Sequence, residues 1–236
     1  MAENSKSKKQ VVDPKKEDQV VFDTIEESLN TGASWFVKNL KMILIVLAII
    51  LAVLVGYICW KNFISEPKEA EAKESIWNAE ALFSDGAYKE ALEGNDSITG
   101  FLEIIDEYGS TTTGNLANAY AGLCYKELGD NENAIKYLEA FDSDSKMVQP
   151  SIYGAIGDVY WDMENAEKAI SFYKKAAKEE NAMMTPFYNK RAALAYLSIG
   201  KNDEALKLLE SIEKNYPKFP EMEEVQKFIE FAKQAK

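Results

Sequence analysis

The chain has no histidine, two cysteines and six prolines in 236 residues. Without histidine the commonest general base and the commonest metal ligand are missing together. Cys59 and Cys124 fall in what read as separate elements, so a disulfide framework is excluded, and both are expected to be buried apolar thiols. Positive charge is also short, with 27 Lys and Arg against 39 Asp and Glu and a net charge of −12. That excludes a nucleic-acid surface, which needs clustered cations to release phosphate counterions. There is no Gly-rich phosphate loop, no G-x-S-x-G and no metal-spaced cysteine cluster. Asn95-Asp96 and Asp142-Ser143-Asp144-Ser145 lack calcium-loop spacing. The chain therefore reads as a non-enzyme with no cofactor, no metal and no small-molecule substrate. Its partners are expected to be proteins.

One stretch lacks charge altogether. Between Lys41 and Lys61 lie 19 uncharged residues, twelve of them Leu, Ile or Val. As a helix they extend about 28 Å, enough to cross a hydrocarbon core of about 30 Å. Those twelve contribute on the order of −4 to −7 kcal/mol to insertion. Trp35 and Phe36 on one side and Tyr57 and Trp60 on the other suit the two interfaces, and no small-x-small cleavage site follows Trp60. A single-pass anchor is the expectation, its helix ended by Ser65-Glu66-Pro67 because the residue before proline is driven out of helical backbone. The short flank before the span carries seven Lys and seven acids, the long remainder 20 basic and 32 acidic residues. Long domains translocate largely regardless of charge, so the Lys-bearing tail is expected in the cytoplasm and the remainder outside it.

What the chain has in quantity is a repeated helical pattern. Tyr153, Ile156, Gly157, Tyr160, Ala169, Tyr173 and Ala176 are spaced 3, 1, 3, 9, 4 and 3 apart, which is one helical stripe, a turn and a second stripe. The skeleton recurs 35 residues earlier as Gly122, Tyr125, Gly129, Ala134 and Leu138, and 36 residues later as Ala193, Tyr196, Gly200, Ala205 and Leu209. A fixed period of this size means stacked copies of one helical hairpin. Gly122, Gly157 and Ala193 let paired helices approach closely, and the turns Leu128-Gly129-Asp130, Met163-Glu164-Asn165 and Ile199-Gly200-Lys201 end the first helices.

In this register the sequence resembles the tetratricopeptide repeat family, in three units over roughly residues 115 to 217. It departs at Asn118, where a large apolar residue is usual, at Phe141 and Ile212, where a small one is usual, and at Lys146 and Asn181, which replace the closing proline that Pro217 supplies in the third unit. The resemblance implies an all-α, right-handed αα-hairpin solenoid, here with one N-terminal transmembrane helix. It also implies that the first helices line a concave partner-binding face, formed by Tyr120, Leu123, Lys126, Asp158, Trp161, Asp162, Phe187, Lys190, Arg191 and Leu194. In the family's chaperone-tail binders that face clamps a terminal carboxylate with Lys, Arg and Asn. Only Lys190 and Arg191 fit here, which implies apolar or extended partners instead.

The expected divisions are a cytoplasmic tail with a short amphipathic helix (1–33), the transmembrane helix and its flanks (34–64), a degenerate first repeat with a loop insertion (67–114), three repeats (115–219) and a capping helix (220–236). Residues 1–19 are too polar to repay ordering and read as a disordered tail. Thr24-x-x-Glu27 reads as a capping box opening a helix that breaks near Gly32. In the degenerate repeat Ala91 and Ala134 are 43 residues apart, and the surplus falls in Glu93–Ser97. The order of tail, aromatic-flanked span and repeats also resembles the YfgM-type proteins, inner-membrane subunits that accompany the secretion translocon and periplasmic chaperones. That implies a membrane-anchored adaptor outside the cytoplasm that assists secretion or envelope assembly, its partner a translocon subunit, a chaperone or a client. The alternatives are an envelope scaffold without clients, or an organelle-surface receptor with cytosolic repeats.

Overall fold

The computed structural model describes residues 14–235, which are helical throughout their regular structure; among them there is no strand. They divide into two units, parting between Asn62 and Phe63. In the first, α1 runs from Pro14 to Trp60. It is long and apolar enough to cross a membrane.

Four expectations for this end need correction, and residues 1–13 of the expected disordered tail lie outside the described residues. Residues 14–19 are already helical, as the first turns of α1. Thr24–Glu27 therefore marks no helix start, and the helix runs through Gly32 unbroken. A mid-helix glycine costs only about 0.5–1 kcal/mol relative to alanine and removes no hydrogen bond, so flanking helix formers carry the backbone across it. Cys59 is exposed, because α1 has no packing partner in its own unit; only Cys124 is buried. Nor does Pro67 stop the helical backbone. A π-helical turn, Lys61–Ser65, leads into α2 (Glu66–Ser84), with Ser65 itself helical at φ −73°, ψ −47°. Proline falls in the first turn of α2, where its missing N–H is not needed and the widened turn before it relieves the clash of its ring with preceding carbonyls.

The second unit is a stack of antiparallel helices. α2 packs on α3 (Tyr88–Glu93) and α4 (Phe101–Tyr108), which are separated by a loop closed by the Asn95–Ile98 bridge. Asn95 Oδ1 accepts from the N–H groups of Ser97 and Ile98, both at 3.0 Å, so this side chain is committed to its own turn. Three hairpins follow: α5 (Thr112–Glu127) with α6 (Asn131–Ala140), α7 (Val148–Asp162) with α8 (Ala166–Ala176), and α9 (Met184–Ser198) with α10 (Asn202–Asn215). α11 (Met222–Gln234) closes the stack, with Val225, Ile229 and Ala232 buried.

The hairpins close because small residues sit where helices cross. A Cβ on Gly157 would stand 2.6 Å from the Tyr173 ring, and one on Gly122 would stand 2.6 Å from the Leu138 side chain. On the second helices Ala134, Ala169 and Ala205 are each fully buried. Asp130 and Asn165 cap α6 and α8 by accepting from Asn133 and Lys168 N–H groups. In the turns Gly129 and Gly200 adopt φ +80° and +72°; the middle turn demands the same conformation of Glu164, at φ +57°. Asn118, at the position where a large apolar side chain is usual, bonds back to the Gly114 carbonyl at 3.2 Å.

Candidate functional site

The carboxyl ends of α5 and α7, together with α9 and the start of α11, surround a cavity of about 580 Å³ lined by Lys126, Asp158, Trp161, Asp162, Tyr173, Phe187, Lys190, Arg191, Leu194 and Glu221. Helical periodicity puts them there. Asp158, Trp161 and Asp162 share one face of α7, and Phe187, Lys190, Arg191 and Leu194 share one face of α9. Eight of the ten residues expected on the concave face thus line one cavity. The other two do not. Tyr120 stacks on Phe101 at 5.0 Å and meets Phe83 edge-on at 5.2 Å, so it packs the first hairpins together. Leu123 packs against the core between the second and third hairpins. Both are therefore taken up by packing, Tyr120 against α2 and α4 and Leu123 against that core.

The cavity's charges are organised around two pairs. Asp158 accepts the Tyr173 hydroxyl at 2.7 Å and pairs with Arg191, the chain's single arginine, so one carboxylate ties α7, α8 and α9 together. The guanidinium lies 5.1 Å from the centre of the Phe187 ring. Burial and then the bond to Asp158 push the Tyr173 phenol well above its ordinary range. Burial, the largest single influence, would lower the Arg191 pKa, but the Asp158 charge together with Tyr173 and Tyr188 makes the net shift upward. Lys190, only 8% exposed, is held by Glu221 and Glu224 at the start of α11. Burial would lower its pKa too, and the hydrogen bonds and charges of the two glutamates reverse the sign. A buried cation of this kind is retained only because it is paired. Lys126 pairs with Glu127 at 3.0 Å.

Tyr173, Glu221 and Glu224 were not among the residues expected here. Tyr173 sits in the repeat skeleton as a core aromatic, and its hydroxyl bonds Asp158 at the cavity. The two glutamates look like ordinary surface acids of a terminal helix. Trp161 is the largest accessible apolar group at the site, 41% exposed. The arrangement holds no nucleophile with an adjacent base, and no group of three metal-binding side chains occurs among the described residues. What it offers is aromatic and aliphatic contact area with fixed charges around it.

Residues 114–142, 150–182 and 191–218 each match the tetratricopeptide repeat. With the stacked hairpins, these matches identify that part of the chain as tetratricopeptide repeats. The fold is similar to that of the TPR-like repeats of a Podosopora anserina kinesin light chain, at 16% identity and a TM-score of 0.55 over 71% of this chain and 87% of that one. It is also similar to MamA (15% identity, TM-score 0.52, 70% and 88% covered) and to BtubC from P. vanneervenii (13%, 0.51, 74% and 85%). At these identities the likeness is one of fold. No curated protein matches the chain by sequence.

Proposed function

We propose that the protein is a membrane-anchored, non-catalytic adaptor whose repeats hold a protein partner in the groove between α7 and α9. The observation that carries this reading is the groove itself: Trp161 exposed beside Phe187 and Leu194 in a cavity of about 580 Å³ on a repeat scaffold. The divisions proposed above stand with it, as does a right-handed superhelix. The span within α1 is the anchor. The short Lys-bearing side is cytoplasmic, the repeats lie outside the cytoplasm, and the role is assistance to secretion or envelope assembly, in the manner of the YfgM-type proteins the architecture resembles. The partner is then a translocon subunit, a periplasmic chaperone or a client. An organelle receptor that clamps carboxylate tails fits less well, since Lys190 and Arg191 are both neutralised internally.

The test is Trp161→Ala in the full chain, read by partner recovery from solubilised membranes and by thermal stability together. Truncating an interface tryptophan costs ~2 kcal/mol or more of affinity. Lost recovery with stability kept supports the adaptor. Phe187→Ala is the harsher companion, because that ring packs against two cores as well as facing the groove. Recovery that survives Trp161→Ala but fails with Trp77→Ala, on the exposed face of α2, favours the scaffold reading instead; Trp77 is 73% exposed and far from the groove in sequence.

A further inference from the structure

We propose that the groove takes an extended segment in which Lys or Arg side chains alternate with large apolar ones, and that it rejects segments presenting carboxylates. This rests on the groove being the partner-binding face. Every cation around the cavity already holds a carboxylate: Lys190 those of Glu221 and Glu224, Arg191 that of Asp158, and Lys126 that of Glu127. An incoming carboxylate would have to displace an internal partner that is tethered to the same chain and already in contact with the cation. The acids are not all used up in this way. The lining itself holds three cations and three carboxylates, Asp158, Asp162 and Glu221, but Glu127 and Glu224 pair with Lys126 and Lys190 from outside it, so Asp162 is left exposed with no ion pair among the described residues. Asp162 adjoins Trp161, whose indole stacks on no other ring among the described residues and is 41% exposed. A free indole face beside a free carboxylate recognises an alkylammonium or guanidinium group by cation–π attraction and charge together. Phe187 and Leu194 then meet the apolar residues between the cations.

The experiment uses the full chain in nanodiscs of zwitterionic lipid and three labelled peptides with the same Leu and Phe positions, separated by Lys, by Gln or by Glu, read by fluorescence anisotropy. The expected order of affinity is Lys, then Gln, then Glu. Asp162→Asn, which breaks no internal contact, should weaken the Lys peptide about two- to fivefold and leave the Gln peptide unchanged. Trp161→Ala should weaken all three. Binding that is sensitive to Trp161 but shows no preference for Lys, or no response to Asp162→Asn, overturns the charge preference and leaves the groove as a binding face. If no peptide shows binding sensitive to Trp161, the groove reading fails and the inference with it.

Discussion

Leu44, Leu47, Leu51 and Leu54 on α1 are each more than half exposed, whereas Leu138 and Leu209 in the second helices of the hairpins are completely buried. The residue type is the same and the pattern is not. In the hairpins one or two apolar residues per turn are placed to meet a neighbouring helix, and polar residues cover the other face. Along residues 42–60 apolar residues occupy every face, so one neighbour could not cover them and their burial falls to the surrounding medium. Packing stabilises the repeats residue by residue. As the proposed anchor, α1 would be stabilised by its environment as a whole, and perturbations should separate the two.

The largest expected effect comes from charging the span. Leu47→Lys with Leu51→Lys replaces two insertion-favouring residues by two that cost about 2.5–3.5 kcal/mol each near a helix centre. The protein should leave the membrane fraction on sedimentation, while the repeats keep their stability. Cys124 provides the probe: it is buried, and its thiol pKa is pushed up to about 12 mainly by desolvation, so thiol modification during a urea titration in a Cys59→Ser chain reports unfolding of the repeats alone. A shifted urea midpoint would mean that the two units are not energetically separate.

Next is Gly157→Leu, which forces a side chain into the Tyr173 ring. Overpacking of this kind costs ~1–3 kcal/mol or more, and the cost passes to both neighbouring hairpins. The Cys124 midpoint should fall, membrane recovery should not, and Lys174→Ala on the exposed side of α8 should change neither. Equal midpoints for the two variants would mean the repeat register is wrong.

A smaller effect follows from the groove's ionisable groups. Tyr173 and Lys190 both have folded-state pKa values above their ordinary ones of 10.0 and 10.5. For such groups the stabilisation is whole below the unfolded value and is lost as pH rises through the folded value. Stability should therefore hold to about pH 10 and decline above it, and Tyr173→Phe should flatten that decline. An alkaline profile identical in the variant would detach Tyr173 from it.

The smallest is Glu164→Gly. The left-handed conformation costs a side chain ~1–2 kcal/mol, and glycine gives back ~0.4–1 kcal/mol through the freer unfolded chain. A gain of a few tenths to ~1 kcal/mol in the urea titration is expected, and a loss would show that Glu164 contributes contacts of its own.

Much of this was legible in the order of residues, because close helix crossings and helix ends are local demands. Only a small residue fits at 122, 157 and 193, and the intervals of 35 and 36 carry one hairpin onto the next. The turn between α7 and α8 was legible as a turn but not as a strained one, since Glu164 takes a conformation imposed by the helices it joins. Gly32 and Pro67 misled in the same way. Each weakens helix in isolation, and each is tolerated where the flanking backbone supplies the missing stability.

By itself the sequence determined the helical class, the repeat period, the apolar span and most of the residues that line the groove. Those depend on spacing along the chain and on the absence of charge or bulk at particular positions. Only the tertiary structure decided which of the groove's charges remain free. Lys190 meets Glu221 and Glu224 more than thirty residues further on, Arg191 meets Asp158 thirty-three residues back, and Tyr120 turns away to Phe101. No pattern along the chain encodes those pairings, because they arise from how far side chains on consecutive hairpins reach across the stack.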